Sequence, residues 1–73
     1  MTDQKLTARE RDIVMLLAQG HGDLSAAASL SISPRTVRFH LDNARTKLKA
    51  LTRCQLVAIA ITTGEIAFSN DVV

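Results

Sequence analysis

Very little in this sequence suits a cross-linked scaffold or a layered β core. Cys54 is the single cysteine, which excludes an internal disulfide framework and fits a reducing cytoplasm. Tryptophan and tyrosine are missing, and Phe39 and Phe68 are the two aromatics. The core must therefore come from Leu, Ile, Val and Ala, which suits close-packed helices better than a sandwich. No run of 18 apolar residues occurs, and the first residues lack the apolar centre of a signal peptide, so no membrane segment is expected. Seventy-three residues make one small domain, too short for the usual enzyme plan of a scaffold around an enclosed pocket. An enzyme is not expected.

What is present is an apolar share of 47%, ordinary for a folded chain, and a segregated charge. Residues 35–53 carry Arg35, Arg38, Arg45, Lys47, Lys49 and Arg53 against Asp42 alone, whereas the remaining residues hold three cations against six acids. A basic segment on a slightly acidic body is the footprint of a nucleic-acid face, or more blandly a solvated helix surface.

The punctuation of the chain divides it into four helices. Thr7 and Glu10 form a capping box, in which each side chain can satisfy the other's backbone N–H, with Leu6 placed as a hydrophobic staple. The helix that follows turns Ile13, Val14, Leu16, Leu17 and Ala18 inward and stops at Gly20. A short second helix, from Asp23 or Leu24 to Leu30, is rich in small residues and permits close approach of a neighbour. Ser33 is an N-cap and Pro34 occupies the first helical position, where its missing N–H costs nothing. The third helix runs to about Lys49. Val37, Leu41, Ala44 and Leu48 recur along one side, while Arg38, Asp42, Arg45 and Lys49 lie on a stripe roughly 100° round from that seam. Leu51 is expected to pack back, and Thr52 and Gln55 read as a second capping box for a fourth helix from about Arg53 to Thr63. A short helix, a tight turn and a longer basic helix make a helix-turn-helix layout in an all-α, four-helix domain.

On the fourth helix, Leu56, Val57 and Ala60 can complete the core. Cys54, Ala58 and Ile61, with Thr62, then form an uncharged patch on another side. A two-fold dimer would bury it, and a helix covered on two sides within the domain is the alternative.

The segments Leu6-Thr7-Ala8-Arg9-Glu10-Arg11, Ala18-Gln19-Gly20, Leu30-Ser31-Ile32-Ser33, Thr36-Val37-Arg38-Phe39-His40, Lys47-Leu48 and Arg53 resemble the LuxR-type (GerE-like) helix-turn-helix domain. The run from Arg35 to Ala44 is most similar to the quorum-sensing branch of that family. The resemblance covers residues 5 to 66. It implies a tetrahelical DNA-binding domain with an arm over 1–6, the domain over 7–66 and a tail over 67–73. By position it implies that Arg35, Arg38, Phe39 and Asp42 face the bases and that Thr36, Arg45 and Lys47 approach phosphates. Glu10, Asn43 and Arg53 match residues that stabilise the fold. Cys54, Ala58, Ile61 and Thr62 then form the dimer interface. The implied partners are an inverted-repeat promoter site in double-stranded DNA, a second copy of the chain, and RNA polymerase or a full-length LuxR-type protein. No cofactor is implied.

The chain departs from the family at the start of helix 2, where Gly22-Asp23-Leu24-Ser25 replaces Ser-Asn-Lys-Glu. A capping box and a phosphate-holding lysine are lost there. In the family a regulatory domain precedes this module, so the chain is either a stand-alone regulator or a segment of a longer one.

Individual residues have competing readings. Arg38 can meet guanine O6 and N7 in a bidentate contact. Asp42 can accept from cytosine N4 or, preferably, buttress Arg38 or Arg45 along the helix. Phe39 meets a thymine methyl or packs against helix 2. His21 and His40 have no ligand partners at metal spacing. Ser25, Ser29 and Cys54 lack the base and oxyanion donors of a nucleophile. The leading expectation is a sequence-specific transcriptional regulator domain. Its rivals are a dimerisation module that antagonises full-length relatives without binding DNA, and a sigma-factor promoter-recognition domain, which leaves the helix 4 patch unexplained.

Overall fold

The computed structural model describes residues 5–66. They form four α-helices: α1 (Ala8–Ala18), α2 (Asp23–Leu30), α3 (Pro34–Leu48) and α4 (Arg53–Thr62). The fold is all-α, with no strand among the described residues. Residues 1–4 of the expected arm and the expected tail over 67–73, including Phe68, lie outside the described residues. Leu6, assigned to the arm, is buried, and its N–H donates to Glu65 Oε1 at 3.3 Å.

α1, α3 and α4 start where their capping signals say, and α2 starts at Asp23, the earlier of the two expected positions. Thr7 Oγ1 accepts from Glu10 N–H at 3.1 Å, and Glu10 Oε1 accepts from Thr7 N–H at 2.9 Å, completing the capping box. Ser33 Oγ takes Thr36 N–H at 3.1 Å, with Pro34 just behind it. Gly22 precedes α2 with no side-chain hydrogen bond, as its lack of a polar side chain requires. The second capping box is only half formed. Thr52 Oγ1 accepts from Gln55 N–H at 3.1 Å, but Gln55 Oε1 takes Leu51 N–H at 2.7 Å, one residue upstream of the expected donor.

The helix ends share one device. Gly20, Ser31, Lys49 and Gly64 all have left-handed backbone, with φ of 98°, 59°, 58° and 82°. In each case the next residue's N–H returns to a carbonyl five positions back, with N···O distances of 2.8 to 3.0 Å for His21, Ile32, Ala50 and Glu65. This is the Schellman arrangement, which satisfies the orphan carbonyls and turns the following residue back onto the helix. It ends α3 at Leu48 rather than Lys49. It also corrects the expectation for Leu51: Ala50 is the residue that turns inward, 6% exposed, and Leu51 points out at 79%.

α3 packs against all three other helices and α1 also meets α2 and α4. Val37, Leu41 and Ala44 of α3 join Ile13, Val14, Ala26, Ala27, Leu56 and Ala60 in one core. Leu16, Leu17 and Ala18, expected to turn inward, are half-buried against it, as are Leu48 and Val57. α2 presents two alanines to α3, which lets the pair approach closely. The chain therefore holds α3 by one side and leaves the other free.

Candidate nucleic-acid interface

The free side of α3 is built by the seam on its back. With Val37, Leu41 and Ala44 buried, the helical period turns Arg35, Arg38, Phe39 and Asp42 to the surface, and all four are exposed. Phe39 is 60% exposed, and its ring meets His40 edge-on at a centroid distance of 5.6 Å. Fifteen residues of helix extend about 22 Å. A rod of this kind, about 10–12 Å across with its side chains, matches a major groove about 12 Å wide.

Ion pairs organise the charges on this face. Asp42 Oδ1 lies 2.9 Å from Arg45 Nη2, as the i, i+3 spacing permits. Arg45 also donates through Nη1 to the Leu51 carbonyl at 3.3 Å, anchoring the turn after α3. Asp42 is thus the buttress of Arg45 and not of Arg38. The acid beside Arg38 is Asp23, on α2, whose Oδ2 stands 3.6 Å from Arg38 Nη1. Asp23 also meets Arg53 of α4, with Nη2 at 2.9 Å from Oδ1 and 3.1 Å from Oδ2.

Thr36 is half-buried, its hydroxyl 3.0 Å from that of Ser33. Lys47 lies on the flank of the helix toward α1, where its Nζ donates to Glu10 Oε1 at 2.7 Å. Glu10 is 3% exposed. Burial alone would raise its pKa, but hydrogen bonds from Lys47 and Thr7 and the Lys47 charge outweigh it and hold the carboxyl below its ordinary range. Lys47 thus pins α3 to α1, a role that no local spacing signals.

On α4, Cys54, Ala58, Ile61 and Thr62 are all exposed and uncharged. An open groove lined by Leu17, Ala18, Arg53, Cys54 and Val57 adjoins them. Among the described residues no cluster of three metal-ligating side chains occurs, and no helix is long and apolar enough to cross a membrane.

Comparison with known proteins bears on the family and the fold. Residues 4–60 match the model of the family described as bacterial regulatory proteins, luxR family. The chain is 38% identical over 65 residues to the transcriptional activator protein LuxR of Aliivibrio fischeri, spanning 89% of this chain and 26% of that protein. It is 41% identical over 59 residues to the probable transcriptional regulatory protein SgaR of Hyphomicrobium methylovorum, spanning 81% and 28% respectively. The chain thus spans about a quarter of the length of these curated relatives. The structure of the transcription factor GerE superposes with a TM-score of 0.84 at 32% identity, covering 93% of this chain and all of that one.

Proposed function

The chain belongs to the luxR family of bacterial regulatory proteins, and on that premise we propose that it is the promoter-binding domain of a transcriptional regulator, with α3 reading base edges in the major groove. The observation that carries this reading is the exposure of Arg35, Arg38, Phe39 and Asp42 on one side of a helix whose opposite seam is buried. Base edges are read by such side chains: arginine pairs with guanine O6 and N7, an acid accepts from cytosine N4, and an apolar ring meets a thymine methyl. Thr36, Arg45 and Lys47 then position the domain on phosphates, which set register without reading sequence. Lys47 gives one N–H to Glu10 and retains two.

The uncharged side of α4 supports a dimer through Cys54, Ala58, Ile61 and Thr62. Two copies would place two α3 helices on half-sites about 34 Å apart. The domain proper extends over 6–66, since Leu6 is part of the core, and the resident compartment is the bacterial cytoplasm.

The test is binding to duplexes selected from a random pool, compared with scrambled DNA over a range of salt. Arg38→Ala is expected to relax preference at one base position by about 1–3 kcal/mol. Arg45→Ala should weaken all duplexes alike and reduce the salt slope by about 1. Arg45 is the better phosphate probe because its own ties, to Asp42 and the Leu51 carbonyl, are exposed, whereas Lys47 serves the buried Glu10 carboxylate. Identical effects in the two variants would contradict the assignment.

One observation favours a second reading. α2 begins without a side-chain cap and carries Leu24, 74% exposed, where the family places a lysine. A chain with weakened DNA contacts could pair with full-length relatives and block them. Titration of the chain with selected duplex separates the readings, because the antagonist binds a relative and not DNA.

A further inference from the structure

The opening of α2, which departs from the family pattern, places one carboxylate between two guanidinium groups from different helices. Asp23 is the first residue of α2. Its side chain is 20% exposed, against 59% for Arg38 and 45% for Arg53. α2 and α4 make no backbone-level contact among the described residues, and the Asp23–Arg53 pair bridges them through side chains. Asp23 Oδ1 is buried and no donor is aligned with it, although Arg53 Nη2 stands 2.9 Å away. Arg53 Nη2 donates instead to Oδ2 at 3.1 Å, so the oxygen that faces Arg38 is itself held by α4.

We infer that Asp23 is a positioning residue that presents the Arg38 guanidinium for base reading and links its orientation to α4. The inference rests on the major-groove reading above. An unrestrained surface arginine samples many rotamers, and ordering it on DNA opposes binding. Oδ2 at 3.6 Å from Nη1 is beyond hydrogen-bond length, and as a charge beside one corner of the planar fork it biases the guanidinium toward that side. The remaining N–H donors stay open to solvent, and a bidentate guanine contact needs two of them. Asp42 does not perform this task, since it is occupied with Arg45 at 2.9 Å. Electrostatics supply a second argument. An acid near the DNA opposes phosphate binding, so Asp23 costs general affinity, and Arg53 beside it offsets that cost. What the acid returns is discrimination between bases.

The opposed effects on affinity and preference give the test. Asp23→Asn keeps the side chain's size and an acceptor for Arg53 but removes the charge. It is expected to lower the preference at the base read by Arg38 by about fivefold or more. Affinity for scrambled duplex should hold or rise, because a charge that repels phosphate is gone. The double variant Asp23→Asn/Arg38→Ala should lose no more preference than Arg38→Ala alone, as expected of two residues acting through one contact. Equal weakening of every duplex, or losses that add, would overturn the inference, since either marks a merely structural role. Arg38→Ala without any change in base preference would remove the major-groove reading itself. An effect of Arg38→Ala alongside full preference in Asp23→Asn would remove only the role given to Asp23. Should Asp23→Asn melt below the assay temperature, Asp23→Ser replaces it, because it also removes the charge. Retained scrambled affinity with lowered preference supports the inference, and undiminished preference overturns it.

Discussion

Glu10 and Lys47 couple a local cap to a long-range tie. The Glu10 carboxylate closes the capping box with Thr7 and accepts from Lys47, 37 positions further on. Its pKa is depressed below the ordinary value near 4.5 despite burial. A carboxylate of this kind contributes stability above its unfolded pKa, and the contribution disappears as pH falls through the lower folded value. Urea midpoints measured downward from about pH 6 should therefore decline once the pH passes below the ordinary glutamate range. In Glu10→Gln that decline should be shallower. Lys47→Met leaves the buried carboxylate without its cation and is expected to cost about 2 kcal/mol, below the full range for a buried pair because Lys47 Nζ is partly solvated. A stability change near zero would make the pair a surface ornament. Thr7 and Glu10 are legible as a cap because they lie three residues apart; nothing in the spacing of Glu10 and Lys47 announces their contact.

The helices differ in how firmly their ends are fixed. α1, α3 and α4 begin on Thr7, Ser33 and Thr52, each accepting a backbone N–H, whereas α2 begins on Gly22 with no such bond. Ser33→Ala should cost about 1 kcal/mol, a fall of about 4–8 °C in the thermal midpoint for a domain of this size. Gly22→Ser should act the other way, by about 0.5 kcal/mol, because φ is −92° and nothing lies within 4 Å of an added Cβ. At the helix ends, Gly20 and Gly64 are recognisable stop signals, but Ser31 and Lys49 adopt the same left-handed turn without being glycine. Packing of Ile32 and Ala50 back onto the core compensates for that strain. The position of Ala50 inside and Leu51 outside follows from this turn, and a rule that larger apolar residues go in misplaces the two.

At the scale of the molecule, α3 is clamped between α1, α2 and α4 so that one side remains for a partner, while α4 leaves its own uncharged side open. Ile61→Glu would put a charge in the middle of that side. Sedimentation equilibrium should then show monomer, and affinity for a two-half-site duplex should fall by about 100-fold or more through loss of avidity, with single half-site binding preserved. Unchanged mass would remove α4 from the interface. The groove beside Cys54 and Val57 lies next to this patch, so an interface on α4 would extend onto the end of α1.

The order of residues was enough to determine the four helices, the buried Val37, Leu41 and Ala44 of α3 and the exposure of Arg35 and Arg38. Caps, a first-turn proline and a repeat of three or four positions act within a turn or two of the chain, where sequence distance and spatial distance coincide. Tertiary structure alone decided which acid serves which base. Asp23 meets Arg53 across 30 positions and Lys47 meets Glu10 across 37, and only the packing of the helices brings those charges together.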